Sequence, residues 1–140
     1  MAIKIESKPV EIEHFLKSDP DGQAKVTVRQ ATTGDQIRLA SLFQNQRQVW
    51  NDAVIGEVAI EKKFNYPELK RMRAFLTITS IVGVTDSVGR ELFEFSETVP
   101  RRFKSEQHFN EVWNMLPAEL SEEIYQAVLM ANPQWSDSGN

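Results

Sequence analysis

The 140-residue chain contains no cysteine and only two histidines, His14 and His108. Without thiols there is no disulfide framework, thiolate zinc site, iron–sulfur cluster or cysteine nucleophile. The two histidines stand far apart, each without a second nearby, so neither a metal site nor any cofactor is expected. Long hydrophobic runs are also missing. The most apolar stretch, residues 75–84, is interrupted by Thr77, Thr79, Ser80 and Gly83. It is about half the roughly twenty residues that a membrane-spanning helix needs. The segment Met1-Ala2-Ile3-Lys4-Ile5-Glu6 lacks the basic and apolar regions of a signal peptide, which gives a cytoplasmic expectation. Neither a G-x-G-x-x-G nor a G-x-S-x-G motif occurs. Gly83 and Gly89 are wrongly spaced for a phosphate loop, and Arg90 stands where that loop requires lysine. No serine has a context that marks it as activated. No catalytic residue is named, and the chain is not expected to be an enzyme.

One further lack is local. Residues 105–140 contain six acids and no lysine or arginine, whereas residues 24–104 hold thirteen bases and nine acids. The whole carries a net charge of −4, which speaks against a general nucleic-acid coat or a polybasic membrane binder. An acidic end beside a basic middle is the main charge pattern, and attraction within one fold is its simplest meaning. Length and a 41% hydrophobic content fit one domain with a core of ordinary size.

What is present reads as a small α+β fold. Residues 1–23 are expected to form an extended N-terminal arm ending in the turn cluster Ser18-Asp19-Pro20-Asp21-Gly22. Residues 24–30 alternate apolar and polar with β-branched side chains, as a half-buried strand does. Thr33-Gly34-Asp35-Gln36 has the form of a capping box. The amphipathic helix behind it places Leu39, Leu42, Phe43, Val49 and Trp50 on one side. Residues 53–64, with Val54, Val58, Ile60 and an interrupting Gly56, suggest a strand or hairpin arm. Asn65-Tyr66-Pro67-Glu68 then looks like a helix start, continuing to about Ser80. A turn over 83–89 leads to a short alternating strand over 91–95. Ser105 is placed to cap a helix whose stripe is Phe109, Val112, Trp113 and Leu116. Leu116-Pro117 breaks the chain, and Leu120, Ile124, Ala127, Val128 and Ala131 form a second stripe that ends at Asn132-Pro133. The expected architecture is a small, mostly antiparallel sheet packed with helices, with a C-terminal helical hairpin. The domain spans 24–133, and a polar tail follows over 134–140.

Several local patterns have a functional and a plain reading. Asp19-Pro20-Asp21-Gly22 has part of a calcium loop but lacks its further ligand and the downstream glutamate. Glu94 and Glu97 act as a carboxylate pair only if a pocket lies between them. Lys62-Lys63, Lys70-Arg71-x-Arg73 and Arg101-Arg102-Phe103-Lys104 interleave bases with aromatics, the pattern of single-strand binding. In an acidic chain, a basic face meeting an acidic protein is the better reading.

A set of motifs in fixed order carries a resemblance. They are Ala31-Thr32-Thr33-Gly34-Asp35, Pro67-Glu68-Leu69-x-Arg71, Gly83-Val84 and Gly89-x-Glu91-Leu92-Phe93. Phe109-x-x-x-Trp113-x-x-Leu116-Pro117 and Asn132-Pro133-Gln134-Trp135 follow. Over about residues 24–135 the chain resembles the small tail assembly chaperones of long-tailed double-stranded DNA bacteriophages and prophages. The resemblance implies a non-enzymatic protein of the host cytoplasm that binds the tape-measure protein and helps recruit tail-tube subunits around it. Trp135, Arg101 and Arg102 are the candidate partner-binding residues. A virion component, such as a tail-terminator or connector subunit, is the alternative, and a nucleic-acid-binding module is the weaker third.

Overall fold

The computed structural model describes residues 2–5, 10–41, 57–99 and 101–136, with backbone alone for 57–65. Strands β1 (Glu11–Phe15), β2 (Lys25–Arg29) and β3 (Ile78–Val82) make an antiparallel sheet in the order β1-β2-β3. Helix α1 starts at residue 33 and is described to 41, and α2 (Glu57–Thr77) leads directly into β3. Helices α3 (Glu106–Met115) and α4 (Ala118–Ala131) form the hairpin, followed by a 3-10 turn over Pro133–Trp135. The fold is thus α+β, as the alternating and helical periods predict.

Alternation decides which face of the sheet is covered. Val26 and Val28 of the central strand are fully buried, with Ile12 opposite Val28 and Ile81 opposite Val26 on the same face. Helix α4 lies across β1 and β2, presenting Ile124, Ala127, Val128 and Ala131, all buried. Helix α2 packs against α4 and α3. The outward positions Glu13 and Lys25 form an ion pair of 3.2 Å. The two edges are guarded differently: β1 alternates glutamates, while uncharged β3 carries a bulge opposite Thr27 and Val28. Both devices hinder pairing with a foreign strand.

A polar junction ties sheet to helices. Arg29, at the end of β2, makes two bonds to the Asp35 carboxylate, at 2.7 and 3.0 Å, and donates to the Leu76 carbonyl at the end of α2. Asp35 is 6% exposed and also accepts the Thr32 amide at 2.9 Å, while its own amide donates to Thr32 Oγ1 at 3.4 Å. The capping box is therefore Thr32 with Asp35, one residue earlier than Thr33 with Gln36. Asp35 is drawn to that role by the guanidinium beside it. Asn132 completes the junction: its Oδ1 accepts the Ala31 amide at 2.7 Å and its Nδ2 donates to the Arg29 and Val128 carbonyls.

Other expectations change. Residues 11–15 are a strand of the main sheet, fixed by the α4 residue Glu123. Its carboxylate accepts the Lys17 and Ser18 amides and the Ser18 hydroxyl, the last at 2.7 Å. Residues 57–64 are helical rather than a strand, so Val58 and Ile60 lie on α2, which runs through Pro67 instead of beginning there. An interior proline costs about 3 kcal/mol. Packing beyond it offsets this: Leu69 and Ala74 are buried, and Lys70 lies over the rings of Tyr66 and Tyr125 at 5.0 and 5.1 Å. The helix ends at Thr77, before Ser80, because Ile78, Ser80 and Ile81 pair with β2. Residues 91–95 form no strand, only isolated bridges of Thr85 with Glu91 and of Phe95 with Phe103. Their apolar side chains turn into the core instead. Leu42, Phe43, Val49, Trp50, Val54 and Gly56 lie outside the described residues.

Two substitutions test this architecture. Gly83 has φ +90°, and a Cβ there would approach the Ala24 backbone to 2.7 Å. Gly83→Ala is expected to cost on the order of 2–3 kcal/mol in urea unfolding, combining backbone strain with a clash. Asp35→Ala, which leaves the half-buried Arg29 without its carboxylate but still bonded to the Gln30 and Leu76 carbonyls, is expected to cost about 2–3 kcal/mol.

Candidate partner-docking surface

The three residues singled out from the sequence are placed differently. Trp135 is 5% exposed: α4 stops at Asn132-Pro133, the Trp135 amide donates to the Asn132 carbonyl at 3.0 Å, and the ring turns back into the core. There the Arg73 guanidinium lies 4.7 Å from its centroid. The indole thus offers no ring face for a partner. Arg73 is itself 6% exposed and donates to the Tyr125 hydroxyl at 2.8 Å. Burial pushes the Tyr125 phenol above its ordinary value, and the nearby guanidinium only partly offsets this.

Arg101 and Arg102 are exposed, on a loop over 96–102. Its base is closed by the Ser96 amide donating to the Arg102 carbonyl at 2.8 Å and the Lys104 amide donating to the Glu94 carbonyl at 3.0 Å. The Arg101 guanidinium lies 5.6 Å from the Phe95 ring centroid, and Val99 is 74% exposed. What holds this loop is an aromatic cluster. Phe103 lies 4.5 Å from Phe95 and 4.4 Å from Phe109, which in turn meets Phe75 at 5.4 Å and Trp113 at 5.6 Å. The segment is so anchored at its base, and Val99 is exposed near Glu97 and Arg101.

The other basic and acidic groups largely answer one another. Lys70 pairs with Glu122 at 2.7 Å, Arg38 with Glu106 at 3.1 Å, and Arg71 donates to the Asn114 side chain at 3.2 Å. The Lys70-Arg71-x-Arg73 run therefore serves the α2–α3–α4 packing rather than a nucleic-acid stripe. The side chains of Lys62, Lys63 and Phe64 lie outside the described residues. Two ion pairs, Lys70–Glu122 and Arg38–Glu106, thus join the basic middle of the chain to its acidic end. The Glu122 carboxyl is held below its usual range, first by the Lys70 hydrogen bond.

Residues weighed for metal or acid–base chemistry are otherwise occupied. Asp19 accepts the amides of Asp21, Gln23 and Ala24 at 3.1, 2.8 and 2.8 Å, making a turn cap of the calcium-like pattern. Glu94 faces His108 at 3.7 Å, and Glu97 is on the exposed loop. Among the described residues no three histidine, aspartate or glutamate side chains converge as metal ligands. Sequence reasoning missed the hollow of about 410 Å³ between α3 and the 86–94 segment, floored by Leu92, Val112 and Met115. The only sign of it is Met115, an apolar residue one step off the buried stripe of α3. Among the described helices none is long and apolar enough to cross a membrane.

The Asp19 cap has a pH signature. The Ala24 amide first, then those of Asp21 and Gln23, hold its carboxyl below the ordinary 3.8. Its folded-state pKa is depressed, so its contribution to stability is present above that ordinary value and is lost as pH falls through the lower folded one. Asp19→Asn is expected to lower the urea midpoint at neutral pH and to flatten the midpoint's fall below about pH 4.

No family model, curated protein or solved structure matches the chain.

Proposed function

We propose that this chain is a non-enzymatic tail assembly chaperone of a long-tailed phage or prophage. It binds the tape-measure protein in the host cytoplasm and helps recruit tail-tube subunits. The observation that carries the reading is the braced loop over 96–102, which exposes Val99 beside Arg101 and Arg102 on an aromatic foot. An exposed apolar side chain near charged ones, on a loop closed at its base, is suited to engaging another protein. Arg101 and Arg102 are its contact residues, while Trp135 acts beneath the surface by holding Arg73 in place. A long helical partner would aggregate through its own apolar stripe unless a second protein covered it, and helix-in-groove docking supplies that cover. The engagement of Lys70, Arg71 and Arg73 inside the fold disfavours the nucleic-acid alternative.

Co-expression with the long helical protein encoded nearby tests this. The expected result is that the partner becomes soluble only with this chain present. Val99→Asp with Arg101→Glu should reduce the soluble fraction several-fold without changing this chain's own thermal midpoint. A partner equally insoluble with and without the wild-type chain overturns the reading.

A further inference from the structure

The hollow beside α3 has the composition of a docking groove for a particular kind of helix. Its floor is apolar, formed by Leu92, Val112 and Met115, and Met115 is 65% exposed, far more than a methionine facing a packed interior. The rest of the lining is mostly acidic: Glu91, Glu94 and Glu111, with His108 beside Glu94 and the Asp86–Arg90 pair at 3.2 Å balancing its own charge. Glu91 is engaged only by the Gly83 amide, Glu94 faces His108, and Glu111 accepts from Gln107. Among the described residues none of the three meets a lysine or arginine, in contrast to Glu106 and Glu122, which meet Arg38 and Lys70. The volume of about 410 Å³ is room for two or three aliphatic side chains.

We infer that this groove takes a basic amphipathic helix of the partner protein, with its apolar side chains on Met115, Val112 and Leu92 and its lysines or arginines against Glu91, Glu94 and Glu111. Charge complementarity selects this occupant. A second copy of this chain meeting it through the same face would bring acidic α3 against acidic lining, and like charges there are repelled. An acidic or neutral apolar helix would partly desolvate three carboxylates without bringing them a cation, which is costly. A basic helix satisfies floor and rim together. The assignment rests on the reading that this chain binds a helical protein, and it identifies a surface separate from the 96–102 loop.

The test uses a synthetic helical peptide of about twenty residues with leucines at every third and fourth position and flanking lysines. A counterpart carries glutamates in place of the lysines. Fluorescence anisotropy with the full chain should show saturable one-to-one binding of the lysine peptide and none of the glutamate peptide. Glu111→Lys should weaken binding about tenfold, whereas Asp21→Lys, the same charge change on the exposed β1–β2 turn, should alter it less than about twofold. Met115→Asp is the decisive variant. It adds negative charge, so diffuse attraction would strengthen binding, whereas loss of the apolar floor weakens it. Equal effects of Glu111→Lys and Asp21→Lys, tighter binding by Met115→Asp, or no saturation overturns the inference. The same variants in the co-expression assay separate the two readings. If Glu111→Lys and Met115→Asp still solubilise the partner, the groove is wrong and the chaperone reading stands. If the wild type fails to solubilise it, the chaperone reading falls whatever the peptide does.

Discussion

Arg29 is the group on which the arrangement of layers depends. Its guanidinium ends the central strand, and its hydrogen bonds reach the first turn of α1 and the last turn of α2. Its backbone carbonyl accepts from Asn132 at the end of α4. Four elements meet at one side chain and one carbonyl. A planar fork with fixed donor directions matches a carboxylate in only a narrow range of geometries. The angle between sheet and helices is consequently set by directional bonds, and the apolar contacts fill in around it. A purely hydrophobic junction would leave more ways for short strands and helices to pack.

The second organising unit is the set of rings around Phe103 and Phe109. Among the described residues of 83–104 there is no regular element beyond isolated bridges, yet Phe93 and Phe103 are each 4% exposed. Tilted ring contacts replace the backbone ladder that this segment lacks. The division of labour is physical: polar geometry orients the sheet, and aromatic bulk anchors the irregular segment. The exposed loop and the acid-rimmed hollow both border that segment, one at its end and one along its side.

Much of this was legible in the residues. The stripes on α3 and α4, the Ser105 cap, the break at Leu116-Pro117 and the buried valines of β2 follow from local periodicity and capping chemistry. What was not legible depends on contacts between distant residues. Pro67 reads as a helix start because nothing local announces the burial of Leu69 and the contacts of Lys70 with Tyr125 and Glu122 that go with a continuous α2. Thr33 and Gln36 have the form of a cap, but Arg29 recruits Asp35 and moves the cap by one. Glu91 to Phe95 alternates like a strand, yet among the described residues it pairs only through isolated bridges. At the candidate surface, Arg101 and Arg102 are exposed as expected. Trp135 is not, since nothing local announces the buried guanidinium it stacks on. The hollow was invisible because it joins α3 to an irregular segment about twenty residues earlier, whose path no local pattern sets.

The bonds between Asn132 and residues 29 and 31, and between Glu123 and residues 17 and 18, also set an order in time. Each spans more than a hundred positions. At about 5–20 residues per second, a ribosome takes on the order of 5–20 s to make the second partner after the first. Through that interval β1, β2 and the start of α1 are present without the helix that covers them, and their valines face water. Loop closure over such a distance costs entropy before any contact compensates it, so folding is expected to be late and cooperative. The nascent N-terminal third is thus the part most exposed to capture by other hydrophobic chains in the cell.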